Sequence, residues 1–491
     1  MTVSALPDLA KAPDHDLLVM RNFIHAVRDA GYVNLSTALA ELVDNSIQAG
    51  AHRIDVGITR PLGDSLPEIR VLDDGKGMDR TELRDCLRFG GTIRFNQRQS
   101  FGRFGMGLPM ASLSQARRVE VTAWQPGMAP QQVVMDVDQM YQSGGLACRS
   151  VPDAEAGETA SGCLVVWKRC DRMEYQRLGW AEKALRRDLG RMYRYYLEDG
   201  ITITVNGTAV QPVDPLMLSK VIEGEHAMPA FETLTYDLTT AAGTTSTVTV
   251  RFSVLPVLAW HGLDNAAKKK SGIVGDSVVS ILRSGREIAR GWYLMGGKRK
   301  ENYDDWWRCE ISFEPDLDEQ FGITINKQGI RPTAALREAL EPELESIARM
   351  LNARVRKLFE NVKFLEASQA SCRIATAADS DLPVIPAAAN SQGPIRYAIG
   401  SEALSGTDMF HTCLKESTLS LTLNADHPAF SALYHPLEVL TDSAAVGLRT
   451  AVELLMLSFA RSVVFLQASG YDSDDLVHAW STAYGRMLRR S

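Results

Sequence analysis

Four polar residues in one short stretch have the spacing that chemistry on a helix needs. Glu41, Asp44, Asn45 and Gln48 fall at i, i+3, i+4 and i+7 of a helical pattern over Leu35–Ala49, so they share one face. Glu41 and Asn45, one turn apart, offer a carboxylate that can orient water and an amide oxygen that can hold a cation. Leu39, Val43 and Ile47 lie opposite and would hold the helix on a sheet. The same polar residues would also serve as the solvated face of an amphipathic helix. Further on, the apolar Val71-Leu72 ends in Asp73-Asp74-Gly75-Lys76-Gly77-Met78. A strand ending in Asp-x-Gly-x-Gly presents a carboxylate followed by permissive backbone, so a planar ligand can come close. Asp73 can accept from an exocyclic amine and Met78 can pack on a ring face. An ordinary Asp-Gly turn would read alike.

The third element is Phe101-Gly102-Arg103-Phe104-Gly105-Met106-Gly107-Leu108-Pro109-Met110, glycines that open a helical stretch. Backbone N–H groups and the positive end of a helix suit phosphate. The run follows a polar loop, Gly90–Ser100, and not a strand, so it is no dinucleotide fingerprint. No Gly-Lys-Ser/Thr follows, so it is no P-loop either.

In this order, ELVDNSIQAGA (41–51), VLDDGKGM (71–78) and FGRFGMGLPMAS (101–112) resemble the GHKL superfamily, which includes gyrase B, MutL, the heat-shock chaperone of ninety kilodaltons, histidine kinases, MORC proteins and topoisomerase VI B. The resemblance extends over residues ~20–335. It implies an α+β chain: a Bergerat-type α/β sandwich ATPase domain, an S5-like α/β transducer domain and a small C-terminal α/β domain. By the same resemblance the cofactors are ATP and Mg²⁺. Glu41 is the general base for the attacking water, Asn45 the Mg²⁺ ligand, and Asp73 the reader of the adenine amine. Asp44, Gly75, Gly77 and Met78 join the nucleotide pocket. Gly90–Gly107 becomes the ATP lid, with Gly102, Arg103, Phe104, Gly105, Met106, Gly107 and Leu108 at the phosphates. Gly162-Cys163-Leu164-Val165 occupies the family's Gly-Thr-x-Val segment; Cys163 is a poorer hydrogen-bond partner than threonine. Gln48 stands where many relatives carry aspartate. Phe321–Ile330 looks like the transducer loop, whose Lys327 would reach the γ-phosphate and neutralise charge there, an effect worth about 10²–10³ in rate.

The activity so implied is an ATP-driven clamp of MORC-like or chaperone-like type: an ATP hydrolase that forms an ATP-dependent homodimer and acts on a protein or nucleic-acid client in genome maintenance or phage defence. A nucleotide-gated binding module with little turnover is the other reading. A histidine-kinase-like protein kinase fits less well, because no phosphoacceptor domain is evident.

Around these motifs the patterning predicts helices at Met20–Ala30, Leu35–Ala49 and Ala181–Leu197. Strands are expected at Ile54–Ile58, Ile69–Leu72, Val119–Ala123, Val133–Val137 and Leu164–Lys168, and a hairpin at Ile201–Val205 with Asn206-Gly207. Residues 1–208 read as one domain with a mixed sheet. Residues 209–369 read as a second, with strands at Thr247–Leu255, Val278–Leu282 and Arg308–Phe313 and a long closing helix, Ala334–Leu365. Residues 370–396, rich in Ala, Ser, Asp and Pro, read as a linker. Residues 397–491 make the last domain, with a strand near Leu419–Leu423 and helices at Ala445–Ala468 and Ser473–Leu488.

A chain of 491 residues with 45% hydrophobic and 23% charged side chains can build such cores, and its net charge of −7 gives no basic signature for nucleic acid. Seven dispersed cysteines without a CxxC pair read as reduced thiols of a cytoplasmic protein. No signal-peptide pattern opens the chain, and the apolar run Leu454–Leu466, broken by Arg461, reads as a core helix too short to span a bilayer. No membrane partner is therefore expected. Lys268–Lys270 read as a solvated loop, and His427-Pro428 and His435-Pro436 as turn or core residues.

Overall fold

The polypeptide is seen in a computed structural model that describes residues 20–32, 34–91, 105–143, 149–151, 159–175, 177–240, 242–276, 278–323, 329–382, 384–385, 395–434, 436–437, 443–472, 474 and 477. It divides into two compact units, Met1–Pro256 with Gly262–Leu351, and Val257–His261 with Asn352–Ser491.

The first unit opens with α1 (Met20–Ala30) and α2 (Leu35–Gln48). Asn34 caps α2, its side chain accepting from the Thr37 N–H at 2.8 Å. Then come β1 (Arg53–Thr59), β2 (Glu68–Asp73), α3 (Arg80–Asp85), α4 (Gly107–Gln115), β3 (Arg118–Trp124), β4 (Gln131–Asp136), α5 (Val137–Ser143), β5 (Arg149–Val151), β6 (Gly162–Lys168), α6 (Leu178–Met192), α7 (Arg194–Glu198), β7 (Thr202–Val205) and β8 (Thr208–Ala209). Among the described residues these strands form one mixed sheet, β5-β4-β3-β6-β2-β1-β7-β8, in which only β1 and β7 run parallel. The β7–β8 turn is Asn206-Gly207, both with positive φ, as a two-residue hairpin of this kind requires.

Leu39 and Val43 of α2, with Leu185 and Leu189 of α6, lie in one core with Val56, Val71, Val121 and Trp167 of the sheet. Each such side chain taken from water contributes roughly 1.5–3 kcal/mol, which sets the roll of α2 on the sheet. Along β2, Ile69, Val71 and Asp73 are the buried positions. The strand's period of two thus carries Asp73 to the core-facing side at the strand's end.

The unit continues with β9 (Met228–Pro229), β10 (Leu234–Thr239) and β11 (Thr245–Val254). After α8 (Val257–Trp260), counted with the other unit, come α9 (Asn265–Ser271), β12 (Val279–Arg283), β13 (Arg286–Gly291), β14 (Trp307–Phe313), α10 (Asp318–Phe321) and α11 (Ala334–Ala367). A second sheet, β10-β11-β14-β12-β13 with β9 on β11, is built here. Lys268–Lys270 form the last turn of α9, where the negative helix end favours cations, and so are not in a loop.

In the second unit β15 (Arg396–Glu402), β16 (Phe410–Lys415) and β17 (Thr418–Asn424) pair in the order β15-β17-β16, and α13 (Ser443–Ala468) supplies Met456, Leu457, Ala460 and Val463 to the core. The stretch read as a linker begins with α12 (Gln369–Ala378), whose small residues let it lie close: Ser371 is fully buried and Cys372 and Ala375 pack on that core. The boundary between the two units falls inside α11, at Leu351. The apolar run also extends further than expected, since Val446–Ala468 is long and apolar enough to cross a membrane. Its polar residues nevertheless have partners within the unit: Arg449 pairs with Glu453 at 2.9 Å and Arg461 with Asp379 at 2.9 Å. The predicted helix at Ser473–Leu488 lies almost wholly outside the described residues.

Candidate nucleotide site

Three segments meet at the end of α2. Glu41 is buried, 3% exposed, although it is charged. The Tyr32 hydroxyl donates to its Oε2 at 3.2 Å. Burial, and after it the charge of Glu41, pushes the Tyr32 phenol far above its ordinary value, so Tyr32 remains a donor at any physiological pH. Gly107, the first residue of α4, lies against the same carboxylate: a Cβ there would come within 1.9 Å of Glu41 Oε1. A carboxylate therefore stands at the mouth of a helix whose Met106 cap makes no side-chain hydrogen bond to the first turn. Such a helix start is suited to phosphate. Pro109 removes one donor from that turn, leaving the amides of Gly107 and Leu108 ahead of Met110, which bonds to the Met106 carbonyl at 3.0 Å.

Asp73 forms the other end. Its Oδ2 accepts from the Ser46 hydroxyl at 2.7 Å and its Oδ1 from the Gly75 N–H at 3.0 Å. Burial raises its carboxyl above the ordinary value, against the lowering effect of these bonds. The loop after β2 is tied to the end of α2 by the Lys76 N–H on the Ala49 carbonyl at 3.0 Å. Gly77 has φ +66°, and a Cβ on it would meet the Trp124 carbonyl oxygen at 2.1 Å, so no other residue fits. Met78 packs on the edge of the core. Cys163 faces Asp73 directly across the β2–β6 ladder. Burial, then the Asp73 charge, pushes its thiol well above the ordinary value, so it stays a thiol.

Residues 33–155, which contain all three motifs, match the family of histidine kinase-, DNA gyrase B-, and HSP90-like ATPases. This segment is a GHKL-type ATPase domain. Among curated proteins, none matches the chain. The mixed α+β architecture accords with that family, and the domain is an ATP-binding module.

Within the domain, Glu41, Asn45, Asp73, Gly75, Gly77, Met78 and Gly107 are carried by α2, the end of β2 and the loop after it, and the start of α4. Met106 and Leu108 flank Gly107 at that helix start. Gly105 accepts at its carbonyl from the Gly90 N–H at 3.0 Å, closing the two ends of the predicted lid. Gly102, Arg103 and Phe104 lie outside the described residues, as does Lys327. Asp44 lies one turn from Glu41 on α2. It is fully buried, accepts from the Tyr193 hydroxyl at 2.7 Å, and pairs at 2.8 Å with Arg286 of β13. Its carboxylate is thus turned to the second sheet. The helical spacing puts Asp44 close to Glu41, but a partner so distant in sequence redirects it.

Asn45, half-buried one turn beyond Glu41, is the Mg²⁺ candidate. Among the described residues no group of three His, Cys, Asp or Glu could hold a metal. The Asn45 amide oxygen is the single protein oxygen that such a site would offer a Mg²⁺ ion, which usually keeps several waters and phosphate oxygens in its shell. Sequence reasoning missed Tyr32, Ser46 and Tyr193. Only Ser46 had a signal, lying on the predicted helix next to Asn45.

Proposed function

We propose that the protein hydrolyses ATP in the presence of Mg²⁺. Glu41 takes a proton from the attacking water, the water oxygen bonds to the γ-phosphorus, and the bond from that phosphorus to the β–γ bridging oxygen breaks to release ADP and phosphate. The observation that carries this reading is the contact of Glu41 with Gly107. It places a buried carboxylate, oriented by Tyr32, beside amides suited to the phosphates. Lys327 supplies a cation toward the γ-phosphate from the second domain. ATP closes the lid, two protomers associate through their N-terminal domains, and hydrolysis releases them. This is the cycle of a MORC-like or chaperone-like clamp acting on a macromolecular client. We place the protein in the cytoplasm, without a membrane partner.

Turnover by wild type, Glu41→Ala and Lys327→Ala, with light scattering in the presence and absence of ATP, tests the reading. Loss of turnover in both variants, with Glu41→Ala held as an ATP-bound dimer, is expected. An unchanged rate in Glu41→Ala would sink the assignment of the base. One observation favours a second reading, a nucleotide-gated binding module. Cys163 puts a weak hydrogen-bonding thiol opposite Asp73, where it supports adenine poorly. ATP-dependent dimerisation without turnover would favour that reading.

A further inference from the structure

The turn between β12 and β13 is Ser284-Gly285, both with positive φ, and it sets Arg283 and Arg286 directly opposite each other. Two like charges in that register repel unless each finds its own counter-charge. Here both arginines are buried, and each reaches a different carboxylate. Arg283 donates to Asp318 of α10 at 2.6 and 2.9 Å. Arg286 pairs with Asp44 of α2 at 2.8 Å and approaches the Tyr193 hydroxyl at 3.4 Å. Burial alone would lower the Arg286 guanidinium; Asp44 and Tyr193, with Glu41 contributing, raise it above its ordinary value. The hairpin tip is fixed by the Tyr196 hydroxyl on the Ser284 carbonyl at 2.7 Å and by the Ser284 hydroxyl on Glu314 at 2.8 Å. Its neighbour Glu287 takes Arg191 at 2.8 Å, with Arg194 at 3.3 Å.

Asp44 is one turn from Glu41 and adjacent to Asn45 on a single rigid helix. Whatever holds Asp44 therefore sets the carboxylate that faces Gly107 and the amide next to it. The Tyr193 hydroxyl oxygen also lies 2.7 Å from the Ala40 carbonyl, so its one hydrogen is shared between Asp44 and the backbone of α2 just before Glu41. A buried arginine that reaches from β13 to this one point on α2 is a costly way to add stability. An apolar pair of similar volume is often as good or better. We propose that Arg286 is a positioning residue for ATP hydrolysis: from the second sheet, through Asp44, it sets Glu41 for attack. The inference rests on the hydrolysis reading above. Removing the link should then harm the chemical step more than binding, since adenine is read by Asp73 on another element.

Arg286→Met alone would leave Asp44 buried and unpaired, so the test uses Asp44→Asn with Arg286→Met, which removes both charges, and Arg286→Lys as the conservative variant. Melting temperature, affinity for a fluorescent ATP analogue, kcat and KM are measured for each. Expected in the double variant are a retained cooperative melt, affinity within about threefold of wild type, and kcat lower by about tenfold or more, as misplacement of a catalytic group produces. Arg286→Lys should recover part of kcat, and should carry the test if the double variant fails to fold. Turnover equal to wild type in the folded double variant would overturn the inference alone. So would affinity and kcat falling by the same factor. Wild-type protein that binds ATP without hydrolysing it would instead overturn the hydrolysis reading, and this inference with it.

Discussion

Replacing Gly107 by alanine tests whether the contact between α4 and Glu41 carries the chemistry. The new Cβ would lie 1.9 Å from Glu41 Oε1, 2.4 Å from Cδ and 3.0 Å from Cγ. Non-bonded carbon contacts settle near 3.5 Å, so the carboxylate must retreat by about 1.5 Å. It is buried and held by Tyr32, and cannot simply swing into solvent. A misplacement of about 1 Å costs roughly 10²-fold, so kcat should fall about 100-fold, near 2.7 kcal/mol of barrier. Stability should move far less. Alanine gains about 0.5–1 kcal/mol over glycine in a helix, and weakening the Tyr32–Glu41 bond costs about 1 kcal/mol, so the two nearly cancel. Phosphate release and a thermal melt read the two effects separately. A double-mutant cycle makes the cause explicit: on a Glu41→Ala background, Gly107→Ala should cost nothing further. A further loss there, with weakened ATP affinity, would mean that the methyl obstructs phosphate and that Glu41 is not the group being moved. Turnover of folded Gly107→Ala within threefold of wild type would refute the geometry outright.

The neighbouring residues give further expectations. Tyr32→Phe removes the donor to Glu41 and should lower kcat by about tenfold at nearly unchanged ATP affinity, with a loss of stability of about 1–2 kcal/mol in a denaturant titration. Asp73 has a folded value above its unfolded one, so its contribution to stability is full below about pH 4 and is lost as pH rises through the raised value. Accordingly, the melting temperature of ligand-free Asp73→Asn relative to wild type should rise between pH 4 and pH 7; a pH-independent difference would contradict the burial of its charge. Cys163→Thr puts a hydroxyl opposite Asp73 and should tighten ATP binding by about fivefold, from a hydrogen bond worth about 1 kcal/mol, as calorimetry would show.

The parts of the site visible in the sequence are those whose chemistry is local. Asp73, Gly77 and Gly107 follow from turn and helix-start rules that operate over a few residues, and the helical spacing of Glu41 and Asn45 from one turn of α2. For the same reason the helices and buried strands of the first domain lie close to where periodicity puts them. What stayed hidden has its cause elsewhere in the chain. β13 reads Arg-Glu-Ile-Ala-Arg-Gly, and nothing local reveals that its first two charged residues are buried. They are buried because Asp44, Arg191 and Arg194 come from another sheet's helices to meet them. β10 alternates half-buried and exposed residues and lacks a strong apolar face, so it gave no strand signal. α12 is made of small residues that resemble a linker until a core is present to receive them.

The same distinction applies to Asp44. Helical geometry correctly puts it beside Glu41, but proximity along a helix does not decide which way a carboxylate turns. That choice depends on competing counter-charges. A full guanidinium at 2.8 Å with a phenol at 2.7 Å, both in a desolvated setting, outweighs amides that are only partial charges. Asp44 therefore links α2 to the second sheet at the very turn that carries the proposed base.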